Sequence, residues 1–197
     1  DNAERFVFFC RAALEVLRAY PVDVVHAHDW QAALAIVFLK TQSERYPEIA
    51  AAGTLLTIHN LGFQGLFAQS DWSLLNLDDG YFTPQCMEFY GKINFLKGGL
   101  VFADKLTTVS PTYAREIMTP EQGFGLEGVV RQRADDLIGI LNGVDYDQWN
   151  PWTDPYLEQH RGENNLTVKQ NCKKHMRQML GLPDISATPV IAMISRL

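Results

Sequence analysis

The sequence predicts an α/β fold built on a Rossmann-like parallel sheet with flanking helices. Short apolar runs rich in β-branched residues alternate along the chain with segments of helical periodicity. The connections between them are short, which favours βαβ units with right-handed crossovers. Polar or glycine-containing residues follow several of the apolar runs directly. In open α/β sheets the carboxyl ends of the strands border the ligand crevice, so these polar residues are the first candidates for a site.

The predicted elements follow one another in chain order. A helix is predicted over 1–20, because apolar residues recur on one stripe and Asp1 and Glu4 have the spacing of a capping box. The stripe consists of Phe6, Phe9, Cys10, Ala13, Leu14 and Leu17. Strands are predicted at 22–28, 53–59, 105–109, 137–141 and 189–194. Further helices are predicted at 31–40, 93–103, 126–133 and 167–180, and one more begins at Pro111 after the N-cap Ser110. Residues 61–91 show no sustained period and are predicted to form a long functional or lid-like excursion.

The composition is that of a globular protein. The 197 residues are 47% hydrophobic and 20% charged, and no apolar run is long enough to cross a bilayer. A formal net charge of −6 argues against a general nucleic-acid or anionic-membrane binder, which would carry a basic face. Three widely spaced cysteines, Cys10, Cys86 and Cys172, fit a reducing compartment in which the thiols have packing roles.

His59 stands where a buried strand stops. The apolar run at 55–58 changes at His59 into polar and glycine-containing sequence that cannot continue a strand. The pair His59 and Asn60 is therefore placed for contact with a substrate. The alternative is a histidine that only caps the strand or packs under a loop.

The segment VHAHDW at 25–30 ends the preceding strand. His26, His28 and Asp29 could be interpreted as metal ligands, but Asp29 is expected on the opposite face from the two histidines and no further ligand cluster is evident. No metal site is predicted. We expect instead that Asp29 and Trp30 face the crevice, where a carboxylate accepts hydrogen bonds from hydroxyls and an indole lies against an apolar sugar face.

Three later segments are further candidates for a site. Gly123-Phe124-Gly125-Leu126-Glu127-Gly128 matches the dinucleotide pattern, but it follows a loop and is rejected as a Rossmann fingerprint. Asn142 lies in an Asn-Gly turn, and its place at a strand end favours an amide offered to a ligand hydroxyl. Arg196 ends the last predicted strand, where a guanidinium suits a diphosphate; the alternative is an ordinary surface arginine.

Five segments together resemble the bacterial glycogen synthase and plant starch synthase family. They are HAHDW at 26–30, TIHNLGFQG at 57–65, FLKGGLVFADKLTTVSPTYARE at 95–116, ILNGVD at 140–145 with the WNP and Asp that follow, and ISRL at 194–197. They occur in the family's order and cover nearly the whole chain. The resemblance implies a GT-B fold, with two Rossmann-like domains and the active site between them. It also implies transfer of glucose from ADP-glucose to the non-reducing end of an α-1,4-glucan, with retention at the anomeric carbon.

The resemblance also implies roles for single residues. His59 corresponds to a histidine that contacts the donor glucose, Asn142 would hold a glucose hydroxyl, and Arg196 would bind the diphosphate of ADP. These three are the implied catalytic residues. Asp29 and Trp30 would border the glucose and acceptor region, and Asn60 and Gln64 would shape the same loop; these four are the implied substrate-binding residues.

The resemblance implies a cofactor-free enzyme. Neither a cofactor nor a metal is needed, because ADP-glucose is the donor substrate and the α-glucan is the acceptor. No nucleic acid or membrane is expected as a partner. The expected compartment is the bacterial cytoplasm, or the plastid stroma if the source is a plant.

Departures from the family pattern set the expected domain limits. The family's N-terminal Lys-Thr-Gly-Gly loop is absent, as are a lysine soon after Arg196 and a glutamate-bearing segment of the second domain. The expectation is a fragment: 1–145 is the later part of the GT-B N-terminal domain, on the acceptor and catalytic side, 146–166 is the interdomain linker, and 167–197 is the beginning of the nucleotide-binding C-terminal domain. Such a fragment is expected to lack synthase activity by itself.

Two other functions fit part of the pattern. Another GT-B glycosyltransferase, such as a relative of sucrose or trehalose-phosphate synthase, would share the sheet and the strand-end His and Arg. A non-catalytic glucan-binding module would bind malto-oligosaccharides without transferring glucose.

Overall fold

The structure, a computed structural model, describes residues 2–157, 166–183, 185 and 187–195. The chain divides into two compact units, Asp1–Asn142 and Gly143–Leu197, each of which is described by itself. The strands are β1 Val24–His28, β2 Gly53–Ile58, β3 Leu66–Ala68, β4 Glu88–Phe89, β5 Lys92–Asn94, β6 Lys105–Thr108 and β7 Leu137–Gly139. The helices are α1 Asn2–Ala19, α2 Asp29–Thr41, α3 Trp72–Leu75, α4 Phe95–Phe102, α5 Pro111–Glu116, α6 Pro120–Gly123, α7 Glu127–Gln132 and α8 Leu166–Met179.

The first unit is organised around a four-stranded parallel sheet of order β1-β2-β6-β7. Its central strand β2 alternates half-buried and buried residues, with Thr54, Leu56 and Ile58 facing the core. This sheet with flanking helices confirms the predicted fold class. Because all four strands run the same way, their carboxyl ends lie along one edge, as the prediction of a site requires.

Helix α2 forms the centre of the core. Every residue from Ala33 to Leu39 is buried, which is typical of a helix covered on all sides. It packs against α1 and α4. A Cβ atom added at Gly99 of α4 would lie 2.8 Å from Cβ of Ala33, so the two helices are in close contact through a glycine. Each fully buried Phe or Leu side chain in this layer contributes about 1.5–3 kcal/mol.

The apolar face of α1 differs in part from the predicted stripe. Cys10 and Leu14 are buried as predicted, and burial raises the pKa of the Cys10 thiol to about 12. Phe9, however, is 49% exposed, while Val7 is buried in its place. The Phe9 prediction was wrong because the core-facing stripe follows Val7, Cys10 and Leu14, at spacings of three and four residues. The predicted capping residue Asp1 lies outside the described residues.

Residues 61–91 contain regular structure that the sequence did not predict. Strands β3, β5 and β4 form a small antiparallel sheet of that order, and α3 lies between β3 and β4. The strands are two or three residues long, too short to show a period. The helix predicted from residue 93 begins instead at Phe95, because Ile93 pairs within the small sheet and Asn94 Oδ1 accepts a hydrogen bond from Lys97 N at 2.9 Å.

Other local predictions are confirmed. Ser110 Oγ accepts a hydrogen bond from Tyr113 N at 2.8 Å and caps α5, with Pro111 at the first helical position. The Gly123-to-Gly128 segment connects α6 to α7 with no strand before it, as its rejection as a dinucleotide fingerprint requires.

The second unit contains α8, which matches the predicted helix at 167–180. Gly181, in the left-handed region at φ 64°, follows the end of this helix. The strand predicted at 189–194 is wrong: this segment is unpaired in the described part of the chain, and Ile194 is 99% exposed. A β-like run forms a strand only where a neighbouring strand accepts its hydrogen bonds. Within the described ranges, none of the helices has the length and apolar character that a membrane crossing needs.

Candidate active site at the carboxyl edge of the sheet

The register of β1 and β2 brings two histidines together. His28, the last residue of β1, pairs with Thr57 in β2, and His59 comes two residues later, just past the end of β2. Nδ1 of His28 lies 3.0 Å from Nε2 of His59. Both residues are exposed, so the pair lies open at the edge of the sheet. A hydrogen bond between the two rings requires one nitrogen to donate and the other to accept.

His26 extends this group of imidazoles along β1. Its ring centroid lies 4.2 Å from that of His28, which confirms that the two histidines share one face of the strand. Nε2 of His26 lies 2.6 Å from the Thr57 hydroxyl, which in turn lies 2.6 Å from the Thr107 hydroxyl. Burial and then the nearby His28 and His59 lower the pKa of His26. A chain of polar contacts therefore crosses β1, β2 and β6 beside the histidine pair.

Asp29 fixes the backbone of His59. Its Oδ1 atom accepts a hydrogen bond from His59 N at 2.8 Å. Asp29 lies at the junction of β1 and α2 with φ 55°, a left-handed conformation that costs a non-glycine residue of the order of 1 kcal/mol or more. Such strain is concentrated at functional sites. The sequence predicted Asp29 at this edge, but the bond to His59 depends on the parallel alignment of two strand ends.

Trp30 supports the loop that follows His59. Its ring packs edge-to-face on Phe6 at 4.7 Å between centroids and lies 5.8 Å from the Phe67 ring. A Cβ atom at Gly65 would lie 2.5 Å from Cε3 of Trp30, so the loop backbone passes directly over the indole. Trp30 is half-buried at the predicted edge, and its described contacts are those of a packing residue. Contact of this indole with a sugar stays a prediction.

Asn60 and Gln64 stabilise the loop after His59 through hydrogen bonds. Asn60 is exposed, and its Oδ1 accepts a hydrogen bond from Gly62 N at 2.9 Å. Gln64 is only 6% exposed, donates to the carbonyl of Phe124 at 3.0 Å and accepts from Asn94 Nδ2 at 2.6 Å. These contacts agree with the predicted role of both residues in shaping the loop. These hydrogen bonds occupy the side-chain oxygen and nitrogen of Gln64. Gln64 would therefore affect substrate binding through the shape of the loop.

The remaining predicted residues lie farther along the chain. Asn142 is exposed and follows β7, which is separated from β2 by β6 in the sheet. The chain leading to it is held by a hydrogen bond from Ile140 N to the carbonyl of Thr108 at 2.8 Å. Arg196 lies outside the described residues. The structure therefore brings His59, Asp29, Trp30, Asn60 and Gln64 together at one edge, with Asn142 after the last strand of the same sheet.

The metal-ligand alternative rests on His26, His28 and Asp29. Among the residues that the structure describes, no three or more His, Cys, Asp or Glu side chains are grouped as a metal site. Oδ1 of Asp29 is engaged by the backbone of His59. The arrangement presents imidazoles, a carboxylate and backbone polar groups, all of which can form hydrogen bonds with hydroxyl groups.

Comparison with known proteins shows the family of this chain. The model of the starch synthase catalytic domain family matches residues 1–132. The chain belongs to this family. A glycogen synthase from Thermodesulfovibrio yellowstonii is 46% identical over all of this chain and 40% of its own length, and one from Thermotoga maritima is 47% identical over all of this chain and 41% of its own. The chain thus spans about two fifths of the length of the curated relatives that it matches.

A solved structure agrees with the fold. The catalytic domain of starch synthase IV from Arabidopsis thaliana, bound to ADP and acarbose, is similar with a TM-score of 0.74 and 36% sequence identity. The match covers 93% of this chain and 38% of the plant one. The parallel sheet with its flanking helices therefore matches part of the GT-B fold of starch synthases.

Proposed function

We propose that this chain forms part of a glucosyltransferase that moves glucose from ADP-glucose to the non-reducing end of an α-1,4-glucan with retention. The observation that carries the proposal is His59 at the carboxyl edge of the sheet, with its backbone bonded to Asp29 and its ring bonded to His28. The names of the relatives support the reaction class, and the ADP and acarbose bound by the plant starch synthase support the two ligand classes.

The chemistry of the reaction fits these groups. Breaking the bond between the anomeric carbon and the diphosphate leaves positive charge on the sugar and negative charge on the leaving group. Fixed dipoles and a carboxylate near the sugar stabilise the first charge, and a guanidinium stabilises the second. We assign the sugar side to the backbone carbonyl and ring of His59 with Asp29 beside them, and the diphosphate side to Arg196. Asn142 holds a glucose hydroxyl. No metal or cofactor takes part in this proposal.

The rest of the assignment concerns the acceptor and the compartment. Asp29, Trp30, Asn60 and Gln64 border the glucose and acceptor region, the last two by shaping the loop after His59. Free thiols at Cys10, Cys86 and Cys172 support a reducing compartment such as the bacterial cytoplasm.

The direct test is incorporation of labelled glucose into glycogen by the full-length protein, meaning the complete product of the gene that encodes these residues. We expect incorporation from ADP-glucose, and a loss of turnover on the order of 10²–10³-fold in His59→Ala. The control is Tyr20→Ala, since Tyr20 is 73% exposed just past the end of α1. Full turnover in His59→Ala would remove His59 from the site. Binding of malto-oligosaccharides without transfer from any nucleotide sugar would support the non-catalytic alternative instead.

A further inference from the structure

Left-handed backbone conformations single out a second group of residues beside the candidate site. Among the described residues, four other than glycine have positive φ: Asp29, Asn76, Tyr90 and Phe124. Asparagine tolerates this conformation, whereas in aromatic residues it strains the backbone at a cost in free energy. Tyr90 and Phe124 are nonetheless 83% and 50% exposed, so no burial of their rings in the core repays that cost.

Both aromatic residues occupy turn positions where other residue types are favoured. Tyr90 and Gly91 form the two-residue loop between β4 and β5, with φ of 50° and 77°. Such a hairpin turn prefers Asn, Asp or Gly at its first central position. Phe124, with φ 51°, ends α6 in the left-handed position that normally holds Gly or Asn. Two local turn rules are therefore broken by exposed aromatic rings, which points to a function of the rings.

The turn that holds Phe124 contacts the hairpin that holds Tyr90, and the Phe124 ring lies beside the loop of His59. A Cβ atom added at Gly125 would lie 2.9 Å from Cζ of Phe89 and 3.7 Å from Cε2 of Tyr90, so the turn after Phe124 contacts the β4–β5 hairpin. On its other side, a Cβ atom at Gly62 would lie 3.4 Å from Cζ of Phe124. The Phe124 ring thus lies over the loop that begins at His59.

Contacts with buried side chains fix the β4–β5 hairpin and the turn of Phe124. Lys97 is only 5% exposed, and its Nζ atom donates hydrogen bonds of 2.6 Å to the carbonyls of Pro84 and Glu88, which anchors the hairpin to α4. The ring of Phe89 packs edge-to-face on Tyr90 at 4.7 Å between centroids. Gln64 binds the carbonyl of Phe124. A surface that is ordered before binding loses less entropy when a ligand arrives.

We propose that Tyr90 and Phe124 form an aromatic platform that binds the α-glucan acceptor next to the loop of His59; the proposal rests on the proposed function. Aromatic faces suit the apolar faces of pyranose rings, and the exposed Asn60 and Lys92 supply polar atoms for hydroxyl groups nearby. Two exposed rings are too little apolar surface for a stable protein interface. Continuity with the candidate site favours the acceptor sugar chain as the occupant.

The variants that test the platform are Tyr90→Asn and Phe124→Asn in the full-length protein. Asparagine keeps the left-handed backbone and removes the ring, so these variants should fold with a melting temperature equal to or above that of the wild type. The matched controls are Tyr20→Ala and Phe8→Ala, since Phe8 on α1 is 74% exposed and Tyr20, just past the end of α1, is 73% exposed.

The first measurement is the affinity for maltoheptaose without donor, by titration calorimetry. Each platform variant should bind about tenfold more weakly, which corresponds to about 1.4 kcal/mol, and the controls should bind as the wild type does. Affinities of both platform variants within twofold of the wild type would overturn the platform. Because no transfer is needed, this result does not depend on whether the proposed reaction takes place.

The second measurement is steady-state transfer with maltotriose and maltoheptaose as acceptors. The platform variants should raise KM for maltoheptaose more than for maltotriose and leave KM for ADP-glucose unchanged. Equal KM values for both acceptors in variant and wild type, with normal turnover, would overturn the platform and leave the proposed function standing. Absence of transfer in the wild type would overturn the proposed function, and the binding measurement would then decide the platform alone.

Discussion

The two ends of one parallel sheet carry different kinds of polar chemistry. At the amino end, charges meet opposite charges: Nζ of Lys40 lies 2.7 Å from Asp104, and Nζ of Lys105 lies 2.6 Å from Asp136. Asp104 also accepts a hydrogen bond from Thr54 N at 2.7 Å. These groups use their hydrogen-bonding capacity on one another, so this end holds the strands and helices together.

At the carboxyl end, polar side chains are exposed to solvent. His28 and His59 contact each other and are both exposed, and Asp29 holds a backbone N–H while occupying a strained conformation. Within the described residues, no Lys, Arg or His side chain forms an ion pair with Asp29. The charges at the strand starts therefore serve stability, whereas the groups at the strand ends remain available for a ligand.

The largest expected effect is on the loop after the strand ends. Gly65 has φ 63°, and a Cβ atom there would lie 2.5 Å from the Trp30 ring. We expect Gly65→Ala to lower the free energy of unfolding by about 3 kcal/mol, since overpacking adds to backbone strain. Gly91→Ala is the control, because Gly91 has φ 77° but no atom within 4 Å of the added Cβ. It should cost about 1 kcal/mol. Urea denaturation measures both, and equal losses would show that the loop over Trp30 is not tightly packed.

Arg133 tests the amino end. Its guanidinium donates to the carbonyls of Leu100, Val101 and Ala103 at 2.7, 3.1 and 2.6 Å and so satisfies the end of α4. We expect Arg133→Met to lower the free energy of unfolding by about 2 kcal/mol and to leave turnover unchanged. Arg131→Met is the control, since Arg131 is exposed and its guanidinium donates a hydrogen bond of 3.1 Å to the carbonyl of Met118. A loss of turnover without a loss of stability in Arg133→Met would contradict the account, because it would place catalytic chemistry at the amino end of the sheet.

The smallest expected effect is a pH dependence from His26. Burial, and then His28 and His59, lower its pKa below the ordinary value of 6.5. Between the folded pKa and 6.5 the unfolded chain binds more protons, so stability is complete above this window and falls as the pH drops through it. His26→Gln keeps a partner for Thr57 and removes the titration. We expect its melting temperature to fall by about 1 °C less than that of the wild type between pH 7.5 and 5.5; an identical fall in both proteins would contradict the shift.

Much of the first unit could be predicted from local pattern. The alternation of β-branched runs with segments of helical periodicity predicted the parallel sheet. The N-cap Ser110 followed by proline predicted the start of α5. The small antiparallel sheet was missed, because strands of two or three residues carry no period. The strand at 189–194 was predicted wrongly, because its β-like composition says nothing about a pairing partner.

The candidate site was predictable only at the level of position. The rule that strands end at the ligand crevice placed Asp29 and His59 on one edge. It could not show that Asp29 bonds to His59 N or that Gln64 is buried, since both depend on how distant segments pack. Tyr90 and Phe124 were missed for a related reason: the turns that hold them contradict the residue preferences from which turns are predicted.

The comparison of the two ends can be tested with one chemical change made at each. Asp29 and Asp104 both accept a backbone N–H, at 2.8 and 2.7 Å, and the change is Asp to Asn at either position in the full-length protein. Burial by itself raises the pKa of Asp104, but hydrogen bonds from Lys40 and Thr54 outweigh it and hold the pKa below its ordinary value. Asp104→Asn should therefore lose about 1 kcal/mol of stability. Asn at position 29 retains an acceptor and tolerates the left-handed backbone.

The most direct measurement is turnover with labelled ADP-glucose and glycogen, taken beside the free energy of unfolding, for Asp29→Asn and Asp104→Asn. We predict that Asp29→Asn loses at least about tenfold in turnover with unchanged stability, because a fixed negative charge near the donor sugar is lost. We predict that Asp104→Asn loses stability with unchanged turnover. Full turnover in Asp29→Asn, or an equal loss of turnover in Asp104→Asn, would contradict the assignment of chemistry to the carboxyl end of the sheet.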